Sequence, residues 1–415
     1  MVLFAGRALL PGGLVPSSAE PRAFPQPAAG SATHGRPFHP ERVFSGAALT
    51  PERRVVVQCA RALVGRDDEP SLAALLACDP EILVPLAWRH GMLPALSRRV
   101  MRMDGAGSHP ALAPLRAAFL ENGVRALRLA GELADVAGIL QTAGVSALAY
   151  KGPALAIQAY GDASARDCSD LDLVVRREEL DAAGAALVTA GFRDLSGSAA
   201  ARAAVLRAGH HLRYRRGEVL VEVHWRFGKA FFGFAEEVPR LWERAEALDI
   251  RGRRVLALSV EDHLLALAIH SSKAMWSSLD ATVCMVRLAA RIPRGAWPAL
   301  AERARAWRCE EALRVSLLLA ERMLGAPCRR GIAAHVPATA RTRRLADRVA
   351  AELFVEAFGG RSYLLGQLAL RPRYRDRLRF ALGALRQPRG GDDASGGRVD
   401  GALGTAIARL RRYWR

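Results

Sequence analysis

Long apolar runs are missing from this chain of 415 residues. No uncharged apolar stretch reaches the roughly 18–20 residues that a membrane-spanning helix needs, so we expect no membrane span. Cysteine is also scarce, and no CxxC pair or Cys/His cluster has the spacing of zinc ligands, which excludes a disulfide scaffold and a zinc finger. We therefore expect reduced thiols in a cytoplasmic protein. The six cysteines are Cys59, Cys78, Cys168, Cys284, Cys309 and Cys328.

Lysine is almost absent as well. Lys151, Lys229 and Lys273 are the only lysines among 60 basic residues, and the rest are arginines. Because acidic residues number only 41, the formal net charge is +19. This excess predicts either an anionic partner, such as nucleic acid, a nucleotide, an acidic peptide or a membrane surface, or merely a solvated arginine-rich surface.

The hydrophobic content of 51% excludes a wholly disordered protein, and the length predicts two or three domains. Residues 1–45 are rich in Pro, Gly, Ala and Ser, which indicates a disordered leader or upstream sequence included by a wrong start codon. The periodicity then predicts an N-terminal helical region over 46–140, an α/β core over 141–258 and a C-terminal helical region over 259–386. Residues 387–415 form a linker and a basic tail.

Several element boundaries can be predicted from local signals. Thr50 followed by Pro51 predicts a helix start. Single helices are expected over 80–100, 111–143 and 297–324, and strands over 145–150 and 170–175. Residues 211–215 and 219–225 flank an Arg-Gly-Glu turn and predict a hairpin. The arginine alternation in 371–380 is typical of a nucleic-acid patch or of a solvated face.

Paired acidic residues carry the strongest chemical signal. Asp170 and Asp172 lie two apart on an expected strand, so their side chains share a face. Two carboxylates this close repel each other unless a cation lies between them, and Mg²⁺ prefers such oxygen ligands. Glu222 and His224 form a similar pair on the expected hairpin. If the two strands are neighbours, Glu222 supplies a third carboxylate, and these acids form the metal site of nucleotidyl transfer.

This order of residues resembles the uncharacterised bacterial nucleotidyltransferases of the polymerase-β-like superfamily. The resemblance covers about residues 70–385. Its motifs are Lys-Gly-x-x-Leu, Tyr, Arg, Asp-x-Asp-Leu-x-Val, Gly-Phe and Val-Glu-Val-His-Trp. The matching residues are Lys151, Gly152, Leu155, Tyr160, Arg166, Asp170, Asp172, Leu173, Val175, Gly191, Phe192, Glu222, His224 and Trp225.

The resemblance implies an α+β protein, with a minimal nucleotidyltransferase fold that has a small mixed or antiparallel sheet and flanking helical regions. It also implies a transferase that moves a nucleoside monophosphate from an NTP to an acceptor, with Mg²⁺ (or Mn²⁺) and release of pyrophosphate. Asp170, Asp172 and Glu222 would then be catalytic residues and metal ligands. The acceptor could be a small molecule, a peptide, a protein or RNA.

A Lys-Gly pair replaces the Gly-Ser loop that holds the triphosphate in better-known members of the superfamily. The phosphate role of Lys151 therefore rests on its ammonium group, with Gly152 and Arg166 as further candidates for nucleotide binding. His224 could bind metal or substrate, or be a hydrogen-bonded core residue. Lys273 shares a helix face with His270 and could contact base, phosphate or acceptor, or only pack.

Two other functions remain compatible with the sequence. The chain could bind a nucleotide or nucleic acid without turnover. It could also be an operon partner protein that acts through its basic tail.

Overall fold

The computed structural model describes residues 49–106, 108–326, 334–354 and 360–386. The expected leader (1–45) and the expected linker and tail (387–415) lie outside these residues. The described chain is mixed α/β, with one seven-stranded sheet flanked by helices on both sides in the sequence. The expected α+β class is confirmed. No helix in the described ranges combines the length and the apolar character that crossing a membrane requires.

The N-terminal helices begin where the sequence predicts. The Thr50 hydroxyl accepts a hydrogen bond from the Arg53 N–H at 3.4 Å, and Pro51 occupies the first helical turn. The expected helix over 80–100 is wrong, since it is two helices that break at Gly91, where φ is +68°. A Cβ on Gly91 would lie 2.5 Å from the Asp280 Cβ. The helices are α1 (Pro51–Ala62), α2 (Leu72–Leu76), α3 (Pro80–Arg89), α4 (Leu93–Arg102) and α5 (Ala113–Thr142).

The sheet has the order β3-β4-β5-β2-β1-β7-β6. β2 runs parallel to β5 and antiparallel to β1, and β4 and β5 form the expected hairpin. Its strands are β1 (Leu148–Tyr150), β2 (Leu171–Val174), β3 (Arg193–Asp194), β4 (His211–Arg216), β5 (Val219–His224), β6 (Glu246–Ile250) and β7 (Arg253–Ala257). The helices between the strands are α6 (Gly152–Tyr160), α7 (Leu180–Thr189) and α8 (Ala199–Ala208).

The β6–β7 hairpin was not expected from the sequence. Its turn is Arg251-Gly252, and both residues have positive φ, at +56° and +77°. Two-residue hairpin turns favour such conformations because they match the twist of the strands. β7 extends the sheet by pairing Ala257 with Ala149 of β1.

The two faces of the sheet pack against different helices. Leu171 and Leu173 of β2 lie in a cluster with apolar residues of α5 and α7. Val174 lies on the opposite face, in the larger cluster that contains residues of α1, α9 (Val260–Lys273) and α10 (Leu279–Arg291). Because side chains alternate along a strand, Asp172 shares the face of Val174. The acidic residues thus lie on the α9 side of the sheet.

The C-terminal helices also depart from the expected pattern. The single helix expected over 297–324 breaks at Arg308, where φ is +57°. Arg371 does not belong to an exposed arginine patch, because it is buried and donates to the Phe232 carbonyl at 3.1 Å. The remaining helices are α11 (Trp297–Ala306), α12 (Glu310–Leu324), α13 (Ala340–Glu352), α14 (Gly360–Ala369) and α15 (Tyr374–Arg386).

Asp262 of α9 joins this helix to α11 and to the segment that precedes β6. Its fully buried carboxylate accepts from Arg244 Nε and Arg303 Nη1, each at 2.8 Å. Removing this carboxylate leaves two arginine charges without their partner. We expect Asp262→Ala to lower the free energy of unfolding by about 3–5 kcal/mol, measured by denaturant unfolding. Neighbouring Glu261, which forms no ion pair in the described chain, is the matched control. Equal losses in the two alanine variants would contradict this role.

Candidate active site

Strand register brings one acid of β2 against one acid of β5. Asp172 is the partner of Glu222 in the parallel pair, and Tyr150 is the partner of Asp172 on the other side. His224, two residues beyond Glu222, places its Nε2 atom 2.9 Å from Asp172 Oδ1 and 3.2 Å from Glu222 Oε2. Its Nδ1 atom lies 3.1 Å from the Tyr150 hydroxyl. A single imidazole therefore joins both carboxylates.

Lys151 supplies the positive charge of this cluster. Its Nζ atom lies 2.8 Å from Asp172 Oδ1, and the Asp172 side chain is 1% exposed whereas the Lys151 side chain is 17% exposed. Burial raises the pKa of Asp172, but Lys151 and His224 outweigh it and hold this pKa well below its usual range. Asp172 is therefore ionised at neutral pH, with its charge compensated inside the protein.

The Lys151 backbone is strained. Its φ and ψ are 52° and −156°, which is a region that residues with a side chain rarely adopt. Its N–H donates to His263 Nε2 at 3.0 Å, and His263 Nδ1 lies 2.5 Å from Gln158 Oε1. Burial, followed by the nearby Arg166 charge, lowers the pKa of His263 to about 3, so its ring is neutral and can accept this bond. Such strain persists only when surrounding contacts fix it, and it is typical of functional sites.

Gly152 follows with a φ of +43°, and it begins α6. A Cβ at this position would lie 2.9 Å from the Asp170 carbonyl oxygen. Only glycine combines this conformation with such a close approach. The Lys151-Gly152 turn is therefore packed against the segment that carries Asp170 into β2.

Asp170 lies at the edge of this cluster. It immediately precedes β2, and its pKa is raised to about 6, chiefly by burial and then by the negative charge of Asp172. It belongs to neither group of metal-ligating atoms that converge within 4.8 Å in the described chain. The structure thus brings Asp172 and Glu222 together, and leaves Asp170 beside them.

Arg166 and Lys273 have other partners. Arg166 forms two hydrogen bonds with Asp280, at 3.1 and 2.5 Å, and its Nη1 atom lies 3.5 Å from the Gly152 carbonyl. Lys273 donates to the Phe227 carbonyl at 2.6 Å. Burial, followed by the Lys151 charge, lowers the pKa of Lys273 to about 7. Asp280 lies in the first turn of α10, but Ser278 is the N-cap there, and the Asp280 carboxylate binds Arg166 instead.

Sequence reasoning missed a histidine group. His210, His211 and His224 place ligand atoms within 4.8 Å of one another, and His211 Nδ1 lies 3.4 Å from Glu222 Oε2. Burial, together with the nearby His224, lowers the pKa of His211 to about 4. The sequence did contain a signal for this group, because the expected hairpin sets His211 opposite His224. Tyr150 and His263 had no comparable sequence signal.

The donor set fits a divalent metal ion. Asp172, Glu222 and His224 present two carboxylates and one imidazole nitrogen within 4.8 Å of one another. Carboxylates suit Mg²⁺ and Mn²⁺, while imidazole also suits later transition metals. The acids that the fold brings together can therefore hold the metal that nucleotidyltransferases typically use.

A mixed sheet with neighbouring acidic strands and a Lys-Gly turn before a helix places the protein among nucleotidyltransferase-like folds. A family model described as "Uncharacterised nucleotidyltransferase" matches residues 77–325. The chain belongs to this family, which supports a general nucleotidyltransferase role. No curated protein and no solved structure matches the chain.

The raised pKa of Asp170 predicts a pH-dependent stability. The folded-state pKa lies above the usual value of 3.8. Asp170 therefore stabilises the fold fully below about pH 4, and this contribution to the free energy of unfolding is lost as pH rises through 6. We expect Asp170→Asn without metal to raise the melting temperature at pH 7.5 by roughly 3–6 °C and to have little effect at pH 4. Asp249→Asn, at an exposed position of β6, is the control. A melting temperature that is equally shifted at both pH values would show that Asp170 is not responsible.

Proposed function

We propose that the protein is a metal-dependent nucleotidyltransferase that transfers a nucleoside monophosphate from an NTP to an acceptor and releases pyrophosphate. Membership of the family gives the general role. The observation that carries the specific proposal is the register of β2 and β5, because it sets Asp172 directly beside Glu222, next to Lys151. Two carboxylates that could bind a metal thus lie next to an ammonium group that could bind a phosphate.

The metal ligands would be Asp172 and Glu222, with Asp170 at the edge of the site. A bound Mg²⁺ or Mn²⁺ would neutralise charge on the phosphate oxygens and activate the attacking group. His224 orders both carboxylates through its Nε2 atom, and the Tyr150 hydroxyl fixes the orientation of its ring. Glu222, whose side chain is 16% exposed, is the acid that an acceptor can approach, and it would help to activate the acceptor.

The triphosphate would be held at the start of α6. This helix has nine residues, and its first turn contains Gly152 directly after Lys151. A helix start presents free backbone N–H groups and a partial positive charge, both of which favour phosphate. Lys151 is the nearest full charge, and its exposed fraction of 17% allows contact with a ligand. Arg166 would contribute by holding the Gly152 loop, since its Nη1 atom lies 3.5 Å from that carbonyl.

One contact favours a second candidate function, a nucleotide-binding module without turnover. Lys151 and His224 already bind the same oxygen of the buried Asp172 carboxylate. If Lys151 and His224 stay bound to Asp172, the protein would bind a nucleotide but would not position a metal for transfer. Transfer of label from an α-labelled NTP, with Mg²⁺ or Mn²⁺ and a cell lysate as the source of acceptor, separates the two functions.

The first test is removal of a carboxylate. Asp172→Asn keeps the shape of the side chain but loses the charge that would bind metal. We expect label transfer to fall by on the order of 10³-fold, because a main electrostatic stabiliser of the transition state is lost. Asp249→Asn is again the control and should keep full activity. A folded Asp172→Asn protein with near-normal transfer would overturn the proposed site.

The second test separates phosphate binding from stability. Lys151→Ala should weaken NTP binding by about tenfold or more, measured by calorimetry. It should also destabilise the fold, because it leaves buried Asp172 without its cation. The double variant Lys151→Ala/Asp172→Asn should regain stability, since the buried Asp172 charge is gone, but it should bind NTP more weakly than Asp172→Asn alone. Equal NTP affinity in the double variant and in Asp172→Asn would reassign Lys151 to a structural role.

A further inference from the structure

A cleft of about 760 Å³ lies beside the candidate active site. It is formed by the segments that follow β2 and β5 and by the last described helix, α15. Trp225 directly follows His224, and the cleft begins there, three residues after Glu222. The Phe227 ring, between cleft residues Arg226 and Gly228, lies 5.4 Å from the Tyr150 ring, and the Tyr150 hydroxyl contacts His224. The side chains that the argument uses are Arg177, Trp225, Arg226, Lys229, Glu236 and Arg379.

Helix α15 fixes one wall of this cleft. A Cβ on Gly383 would lie 2.1 Å from the Phe231 Cβ, so the helix backbone lies directly against this phenylalanine. The Phe231 and Phe380 rings are 5.7 Å apart. Arg371 also packs on α15, because its guanidinium lies 4.2 Å from the Phe380 ring centroid. The cleft therefore has a packed wall with an aromatic surface.

Several polar groups of the cleft have no partner. The Trp225 side chain is buried, and its indole nitrogen has no hydrogen-bond partner. Within the described ranges, Arg226, Lys229 and Arg379 form no ion pair and no side-chain hydrogen bond. Arg226 and Lys229 are both half-buried, and this burial lowers the pKa of each side chain. Buried donors without partners cost stability unless a ligand or water satisfies them.

The charge of the cleft is positive but not uniform. Five of its residues are arginine or lysine, and two are glutamate. Glu236 accepts a hydrogen bond from the Phe227 N–H at 2.7 Å, so this carboxylate has a structural role. A continuous polyanion would pass close to both glutamates and be repelled. A single compact anion can contact the cations and avoid the acids.

We propose that this cleft binds the acceptor substrate, and that the acceptor is a small molecule with a phosphate or similar anionic group and a flat ring. The proposal rests on the proposed function. The volume is that of a small-molecule site, the cations and the unpartnered Trp225 indole N–H take the anion, and half-buried Phe231 offers the surface for a ring. Phe227, whose ring packs against that of Tyr150, links this cleft to the acids of the site.

Phenyl phosphate is the probe, since it carries one ring and one phosphate. We expect its titration, followed by NMR of protein with ¹⁵N-labelled tryptophan, to shift the Trp225 indole signal, which Trp225→Phe identifies. Arg226→Ala and Lys229→Ala should each weaken binding by about tenfold. Arg254→Ala, at an exposed position of β7, is the matched control and should bind like the unchanged protein. Absence of a Trp225 shift, or equal effects of all three alanine variants, would overturn the proposal.

Competition distinguishes the acceptor from other ligands. With NTP and Mg²⁺ already bound, phenyl phosphate should still shift the Trp225 signal with unchanged affinity. Displacement by NTP would assign the cleft to the donor and overturn the proposal. A single-stranded oligonucleotide that binds more tightly than phenyl phosphate and shifts the same signal would overturn it in favour of a polymer.

Failure of this proposal is distinct from failure of the proposed function. Arg226→Ala leaves Asp172, Glu222 and Lys151 in place, so binding of NTP should be unchanged in this variant. If phenyl phosphate does not bind but Asp172 is required for label transfer, only the cleft assignment fails. If phenyl phosphate binds as expected and transfer does not depend on Asp172, the proposed function fails, and with it the assignment of the cleft ligand as an acceptor.

Discussion

The ion pair between Lys151 and Asp172 is the interaction on which the site depends. A buried carboxylate is costly unless it is paired, and Asp172 is nearly inaccessible. Lys151 pairs with it from a strained backbone conformation, in which its N–H donates to His263. The charge, the strain and the Gly152 turn are therefore one linked arrangement. A change in any of them affects how the start of α6 faces β2.

The same pair gives the proposed function two ways of compensating the charge of the acids. When Lys151 binds Asp172, the cluster is neutralised without a metal. When a metal and a triphosphate are present, the metal would compensate the carboxylates, and the Lys151 ammonium could contact phosphate. Either positive charge, the ammonium group or the metal ion, reduces the repulsion between the neighbouring carboxylates. In the proposed function, the arrangement would couple metal binding to nucleotide binding through the position of one ammonium group.

Much of the site could be predicted from the sequence because strand periodicity is local. The spacing of Asp170 and Asp172, and the hairpin that carries Glu222, followed from alternation and turn residues. Whether the two strands were neighbours did not follow, because register between distant segments is set by packing. His263 was missed for this reason: it lies 112 residues from Lys151, and only the fold brings them together. The break at Gly91 did have a local signal, because a left-handed glycine commonly ends a helix, whereas the break at Arg308 has no such signal in the sequence.

The helical regions contribute to the site as well as to stability. α9 supplies His263 to the Lys151 turn, while its Asp262 is bound by Arg244 and Arg303. The position of His263 thus depends on the neighbouring ion pairs of the same helix. α15 contributes from the other side, because its contact with Phe231 closes the cleft beside Trp225. The sheet places the acids, while the helices that follow it in the sequence hold the Lys151 turn and form one wall of the neighbouring cleft.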